Sequence, residues 1–317
     1  MKLRQIYEMA FTMGMQADPR GMEMVKKDLL EKEKEYDGLT AKGKPYFDME
    51  SLKNPYSDTR ILAGNGNEEV KSVMMGIDME VGEVLLADRL KEKGRSVDLL
   101  ISHHPEGSAL AALSKVMPIQ SGMMYKNGVL PNVAQAIMED RICEVDRGIA
   151  ALNHQRSVAA AKLLKQPFMC VHTPADNMVT DFVAKHLAKA KPDKLQDLVE
   201  ALLEIPEYHI SAVNNNAPTI ITGSKKTPVG KIYVDFTGGT GGADENYRKL
   251  CDAGISTVIA MHAGEKKITV AKDCHLNLVI AGHIASDSIG CNIFLDALEK
   301  QGIEIIPISG LIRVSRN

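Results

Sequence analysis

The chain reads as an α/β protein of two α/β domains with mixed sheets. Three observations predict this. Its 317 residues exceed the roughly 100–200 residues of a single domain. The stretch 70–102 reads as strand, helix, strand, and such a crossover implies parallel pairing. Short apolar runs then alternate with amphipathic segments to the C-terminus, as buried strands and their covering helices do.

The elements follow in order. Residues 1–36 are expected to be helical, with Leu3, Ile6, Tyr7, Met9 and Ala10 on one apolar face. Asp18-Pro19 opens a second helix whose run KKDLLEKEKE is a solvated face. Residues 37–58 are rich in turn formers and are expected to be irregular. Val70–Asp78 and Val97–Ser102 read as buried strands flanking a helix at Val81–Lys93. Residues 108–165 read as mostly helical. Phe168–His172 reads as a strand and Met178–Ala190 as a helix. Tyr208–Val213, Thr219–Thr222 and Lys231–Phe236 read as three consecutive strands. Helices near 243–252, 264–272 and 286–300 then alternate with strands at 256–261, 276–281, 303–308 and 311–314. A boundary is expected near Ile205-Pro206, with the last strands returning to the first domain. The division is 1–205 with 284–317, and 206–283. No internal repeat is visible.

Composition narrows the function. Lys+Arg total 38 against 41 Asp+Glu, a net charge of −3, so the Lys/Arg excess that neutralises phosphates is missing. With no Trp, 8 Tyr and 6 Phe, a base-stacking platform is not expected. No segment has the ~20 apolar residues of a membrane span. Arg4 and Glu8 interrupt any signal-peptide core. The five Cys (143, 170, 251, 274, 291) contain no C-x-x-C, which favours reduced thiols in a cytoplasmic protein. The 17 Met read as adaptable core filler.

Three blocks carry the chemistry, each just past the end of an expected buried strand, where open α/β sheets bind ligands. The first is Ser102-His103-His104-Pro105-Glu106-Gly107. Tandem imidazoles can face two ions, or one ion and a substrate; the alternative is a solvated loop pair. The second is Val171-His172-Thr173-Pro174-Ala175-Asp176-Asn177. His172 and Asp176 converge if the chain turns helical at Pro174; otherwise Asp176 is a first-turn helix carboxylate. The third is Ala281-Gly282-His283-Ile284-Ala285-Ser286-Asp287, with the same two readings. Together they place four of the nine His and two Asp at one sheet edge. Six N/O donors exceed the three protein ligands of a catalytic zinc and suit two ions sharing a carboxylate and a water.

These blocks resemble the dinuclear-metal family labelled GTP cyclohydrolase 1 type 2, or NGG-interacting-factor-three-like. Its pattern is a strand ending in His-His-Pro, then His-Thr-x-x-Asp, then Gly-His-x-x-x-Glu near the C-terminus. The match covers about residues 70–107, 153–185 and 229–315. The resemblance implies two divalent ions per chain (Zn, Fe, Mn, Co or Ni) held by His103, His104, His172, Asp176, His283 and Asp287. It also implies two α/β domains, the first discontinuous, and a homohexameric ring. Three departures stand out. Asp287 replaces the family Glu and is one methylene shorter. Glu106 stands where the family commonly has an apolar residue. The helical stretch 108–150 reads as an insertion in the first domain.

The leading expectation is a metal-dependent hydrolase acting through a metal-activated water on a small-molecule substrate, a phosphorylated or nucleotide-like one among the candidates, with Glu106 or His154 moving the proton. The alternative is a metal-binding regulatory or scaffold protein that catalyses nothing. Thr237-Gly-Gly-Thr-Gly-Gly242 can cradle an anion, but it fits neither G-x-G-x-x-G nor a P-loop, and a structural turn is the preferred reading. Asp78 is placed near the site. His186, His209, His262 and His275 receive no role.

Overall fold

The computed structural model describes residues 1–317. Two helices, α1 (Leu3–Gln16) and α2 (Met22–Gly38), are followed by two 3-10 turns and then β1 (Ile61–Ala63) and β2 (Ser72–Gly76). Next come α3 (Val81–Glu92), β3 (Leu99–Ser102), α4 (Gly107–Ala111), α5 (Pro118–Lys126), α6 (Pro131–Ala150), α7 (Arg156–Leu163), β4 (Phe168–Cys170) and α8 (Thr173–Ala190). The rest comprises α9 (Leu195–Leu203), α10 (Pro206–Val213), β5 (Thr219–Thr222), β6 (Ile232–Asp235), α11 (Asn246–Asp252), β7 (Thr257–Ala260), α12 (Glu265–Asp273), β8 (Asn277–Ile280), α13 (His283–Glu299) and β9 (Glu304–Ile308). No helix is long and apolar enough to cross a membrane.

The strands form two mixed sheets, ordered β1-β4-β3-β2-β9 and β5-β8-β7-β6. In the first, β4, β3, β2 and β9 are parallel and β1 is an antiparallel edge. In the second, β8, β7 and β6 are parallel and β5 is the antiparallel edge. The second sheet therefore repeats the first without the counterpart of β9. Strands β2, β3, β4 and β7 are buried throughout, which is why they read as unbroken apolar runs. One apolar core crosses from Val73, Leu99 and Met169 in the first sheet to Tyr233, Val258 and Leu278 in the second. Met74, Met75, Met79, Met117, Met138 and Met169 are fully buried, as core filler should be.

The two sheets are joined through α8 and α13. Gly290 on α13 lies so close to α8 that a Cβ there would stand 2.2 Å from the Ala175 carbonyl oxygen. Only a glycine lets these two backbones approach so closely, and each helix starts at one of the His/Asp blocks.

The structure departs from the sequence reading in four places. Residues 206–213 form helix α10, not a strand. The alternation in Tyr208–Val213 suggested a strand, but Pro206 at the first helical position was the stronger signal. Residues 311–314 carry no strand, and the C-terminal segment is tied down by side chains: Asn292 donates to the Ile312 carbonyl and Arg313 pairs with Asp296. Helices α8 and α13 begin at Thr173 and His283, earlier than read. That shift brings each His next to its Asp on one helix face.

Candidate metal centre

Each donor is placed by a strand end. After β3 the chain presents His103 and His104. Their backbone N–H groups donate to the carbonyls of Gly76 and Ile77, so the loop is fixed to the end of β2. After β4, Pro174 stands in the first turn of α8 with His172 at its N-cap, and Asp176 follows within the first turn. After β8, His283 opens α13 and Asp287 comes one turn later.

The carboxylate oxygens and ring nitrogens converge. His103 Nε2 lies 3.5 Å from both Asp176 Oδ1 and Asp287 Oδ1. His104 Nε2 is 3.5 Å and His283 Nε2 3.4 Å from Asp287 Oδ2. His172 Nε2 is 3.8 Å from Asp176 Oδ2. Two donors each about 2.1 Å from one tetrahedral ion stand roughly 3.4 Å apart, so these separations suit donors that share an ion. The donors fall into two overlapping groups able to hold a metal ion: His103, His172 and Asp176, and His103, His104 and Asp287.

The rings are held so that Nε2 faces inward. His103 Nδ1 donates to the Val171 carbonyl at 3.0 Å. A carbonyl only accepts, so that ring carries its proton on Nδ1 and, when neutral, turns a lone pair toward two carboxylates. Such an arrangement needs a cation or a second proton between the groups. Asp58 Oδ2 accepts from His172 Nδ1 at 2.8 Å and from the Thr173 hydroxyl at 2.6 Å. Asp78 Oδ1 meets His104 Nδ1 at 2.7 Å. A carboxylate or carbonyl behind each imidazole is the usual support of a metal-binding histidine.

His103 Nε2 and both Asp287 oxygens are buried without a hydrogen-bond partner. An unpaired buried charge costs several kcal/mol, and a divalent ion among these atoms removes that cost. The donor set therefore fits a metal on the chemistry of this structure.

The electrostatics agree. Burial would raise the Asp287 carboxyl, but His103, His104 and His283 outweigh it and hold it far below the usual carboxylate range. Asp176 goes the other way: burial, then the negative charges of Asp287 and Asp58, push it well above that range. His104 is pushed up to about 9, because Asp287 and Asp78 overcome the lowering effect of burial. Burial lowers His172 despite Asp58, and lowers His283 despite Asp287.

Five of the donors, His104, His172, Asp176, His283 and Asp287, line a cavity of about 280 Å³ between the sheets, with His103 buried behind them. Its other wall comes from the second sheet: Asp235, the loop Thr237–Gly242, Met261, His262 and Lys267. All six expected ligands are brought together. Glu106 and His154 are not among the lining residues. The Glu106 side chain turns back to accept from the Ser157 hydroxyl at 2.6 Å, and burial raises its carboxyl. His154 Nε2 is bonded to the Ile149 carbonyl at 2.8 Å. Asp58 and His262 were not read as site residues. Asp58 lies 114 positions before His172 in a turn-rich segment, with no local mark. The His262 ring meets His283 edge-on, with centroids 4.9 Å apart. Its signal was its place after an apolar strand, shared with the three blocks.

No family model matches the chain, and neither does any curated protein. Among solved structures, a NIF3 superfamily protein from Sphaerobacter thermophilus is similar at 28% identity and TM-score 0.71, over 80% of this chain and 92% of that one. Reduced HcgD from Methanocaldococcus jannaschii shares the fold at 13% identity and TM-score 0.50, over 78% of this chain and 87% of that one. The resemblance carried by the three strand-end blocks thus extends to the fold, and the neighbour at 28% identity is a NIF3 superfamily protein, in keeping with the NIF3, or GTP cyclohydrolase 1 type 2, family label.

Proposed function

We propose that His103, His104, His172, Asp176, His283 and Asp287 hold two divalent ions and that the protein is a metal-dependent hydrolase of a small substrate. The observation that carries this reading is the set of buried, unpartnered donor atoms on His103 and Asp287. When bound, the ions supply Lewis acidity and an activated water for attack on a phosphoryl, carbonyl or ring carbon. The chain supplies the rest. Asp58, Asp78 and the Val171 carbonyl fix the rings of the first sheet. Asp287, despite its shorter side chain, directs one oxygen to His103 and the other to His104 and His283, which suits a bridging carboxylate. His262, exposed and lining the cavity, is the imidazole placed to exchange a proton with substrate, in place of Glu106 and His154.

Elemental analysis of the purified protein tests the reading. Transition metal approaching two ions per chain is expected, with most of it lost in Asp287→Ala. Absence of bound metal even after reconstitution would overturn it. A panel of phosphoesters, nucleotides and cyclic amides then tests hydrolysis; a metal-loaded protein that turns over none of them is a scaffold. A ring of copies belongs to the same proposal. The packed helices α3 and α7 leave Leu85, Leu86 and Leu163 exposed, which suits a contact between copies. Sedimentation at the mass of a single chain would remove it.

A further inference from the structure

The wall of the cavity facing the histidines has its own chemistry. Lys267 on α12 is 7% exposed and lines the cavity. Its ammonium donates no hydrogen bond. It lies over the Tyr247 ring, 5.0 Å from the centroid, and 3.9 Å from Asp235 Oδ2, which already accepts from the Tyr247 hydroxyl at 3.2 Å. The stem is packed away while the ammonium faces the cavity with no hydrogen-bonded acceptor, so an anion bound there would supply one.

The glycine loop beside it is held from behind. Gln120 Nε2 donates to the carbonyls of Gly238 and Thr240, both at 2.7 Å. Arg141 Nε donates to the Gly241 carbonyl at 3.0 Å. These two side chains belong to α5 and α6, so the helical stretch 108–150 is what shapes the loop. With three carbonyls tied to it, the amides of Gly239, Gly241 and Gly242 remain without any intramolecular acceptor, and all three residues line the cavity. A Cβ on Gly241 would meet only Lys267 Nζ, at 3.9 Å, so the loop and the ammonium flank one space.

We propose that Lys267 and the free amides of Gly239, Gly241 and Gly242 form a subsite for a phosphoryl group of the substrate, across the cavity from the metal ligands. Backbone amides and one ammonium are the usual recognition set for phosphoryl oxygens. The sequence reading of the loop as a turn alone gives way to this assignment. The subsite deepens the hydrolase reading and rests on it for the word substrate. The substrate is then a small molecule with its anionic group on the second sheet and its scissile centre over the first.

Inorganic phosphate is the probe, titrated calorimetrically into the purified full chain. Lys267→Met is expected to weaken phosphate binding by about tenfold or more, the worth of a charge-assisted hydrogen bond, and Gly241→Ala to weaken it by placing a methyl group in the space beside the ammonium, each with metal content unchanged. Lys267→Arg should retain phosphate binding. Gly241→Ala adds a methyl group into open cavity, so an unchanged melting temperature separates a blocked site from a damaged fold. A His103→Ala/His104→Ala double variant should lose metal yet keep the Lys267-dependent binding. Phosphate affinity indifferent to Lys267→Met, or lost together with the metal in the double variant, overturns the subsite. A double variant that keeps its metal overturns the metal ligands and leaves the subsite standing.

Discussion

The corners β4–α8 and β8–α13 are built alike and behave differently. In each, a His follows a parallel strand and a carboxylate stands four residues later on the helix that begins there, in the first turn of α8 and one turn into α13. At the first corner His172 is buried, with Asp58 behind its Nδ1 and a threonine hydroxyl beside that carboxylate. At the second, the His283 side chain is 40% exposed and no group is bonded to Nδ1. Its ring meets His262 edge-on and faces His104, neither of them bonded to Nδ1. One corner is pre-organised and the other is adjustable. An ion site made of two such halves has one rigid wall that sets the geometry and one that yields to a ligand. The second sheet also carries the loop and lysine that line the opposite wall, so the adjustable half is the one that would meet substrate.

The two corners are held together by the packing of α8 on α13, and breaking it at the tight Gly290–Ala175 approach should have the largest effect. Gly290→Ala would drive a methyl group into the Ala175 carbonyl. Overpacking against backbone typically costs about 1–3 kcal/mol and occasionally more, and the upper end is expected because neither helix end is free to move. Denaturant unfolding should show it, together with lost metal. A Gly290→Ala protein that melts and binds metal like the wild type would mean that the halves are joined elsewhere.

The next contrast is electrostatic. His104, on the first sheet, is pushed up to about 9 by Asp287 and Asp78, while His283, facing it with ring centroids 5.1 Å apart, is lowered by burial. A raised imidazole contributes stability that is complete below its unfolded value near 6.5 and is lost as pH climbs through the folded value. His172 and His283 act in the opposite sense, but their titration lies below about 6.5. Between pH 6.5 and 9 the slope of stability then has two sources, His104 and the raised Asp176 carboxyl, both costing stability as pH climbs. Chelator-treated protein should lose on the order of 2–3 kcal/mol to His104 across that range, read from denaturant midpoints. His104→Gln should reduce the slope; a slope that persists unchanged would assign it to Asp176.

Much of this was legible in the sequence, for a physical reason. Strands buried on both faces leave unbroken apolar runs, so β2, β3, β4, β7 and β8 could be read. The ligands follow directly at their ends, so position alone marked His103, His172 and His283. What could not be read depends on contacts between distant segments. Asp58 supports His172 across 114 positions. The duplication of the two sheets survives in strand order and in the His/Asp spacing, while nothing repeats in the residues between. Strand β1 has three residues and no pattern to detect. His262 failed to stand out because the position four residues on, where the other two blocks carry Asp, is Lys266, although His262 occupies after β7 the place that His103 and His104 occupy after β3.

That last correspondence gives the smallest and most discriminating test. If the first corner is rigid because Asp58 orients its ring, Asp58→Asn should weaken metal binding about 10–100-fold, the usual cost of losing the carboxylate behind a metal-bound imidazole. If His262 merely packs edge-on against His283, His262→Ala should cost about 0.5–1.5 kcal/mol, the worth of an aromatic pair, and change metal affinity by about tenfold at most. Calorimetric titration of zinc into the apo variants compares them directly. Equal losses would make His262 the support of the second corner, and the two halves would then be equivalent in mechanics as well as in topology. Unequal losses leave the second corner free to adjust, which is the property a substrate-facing wall needs.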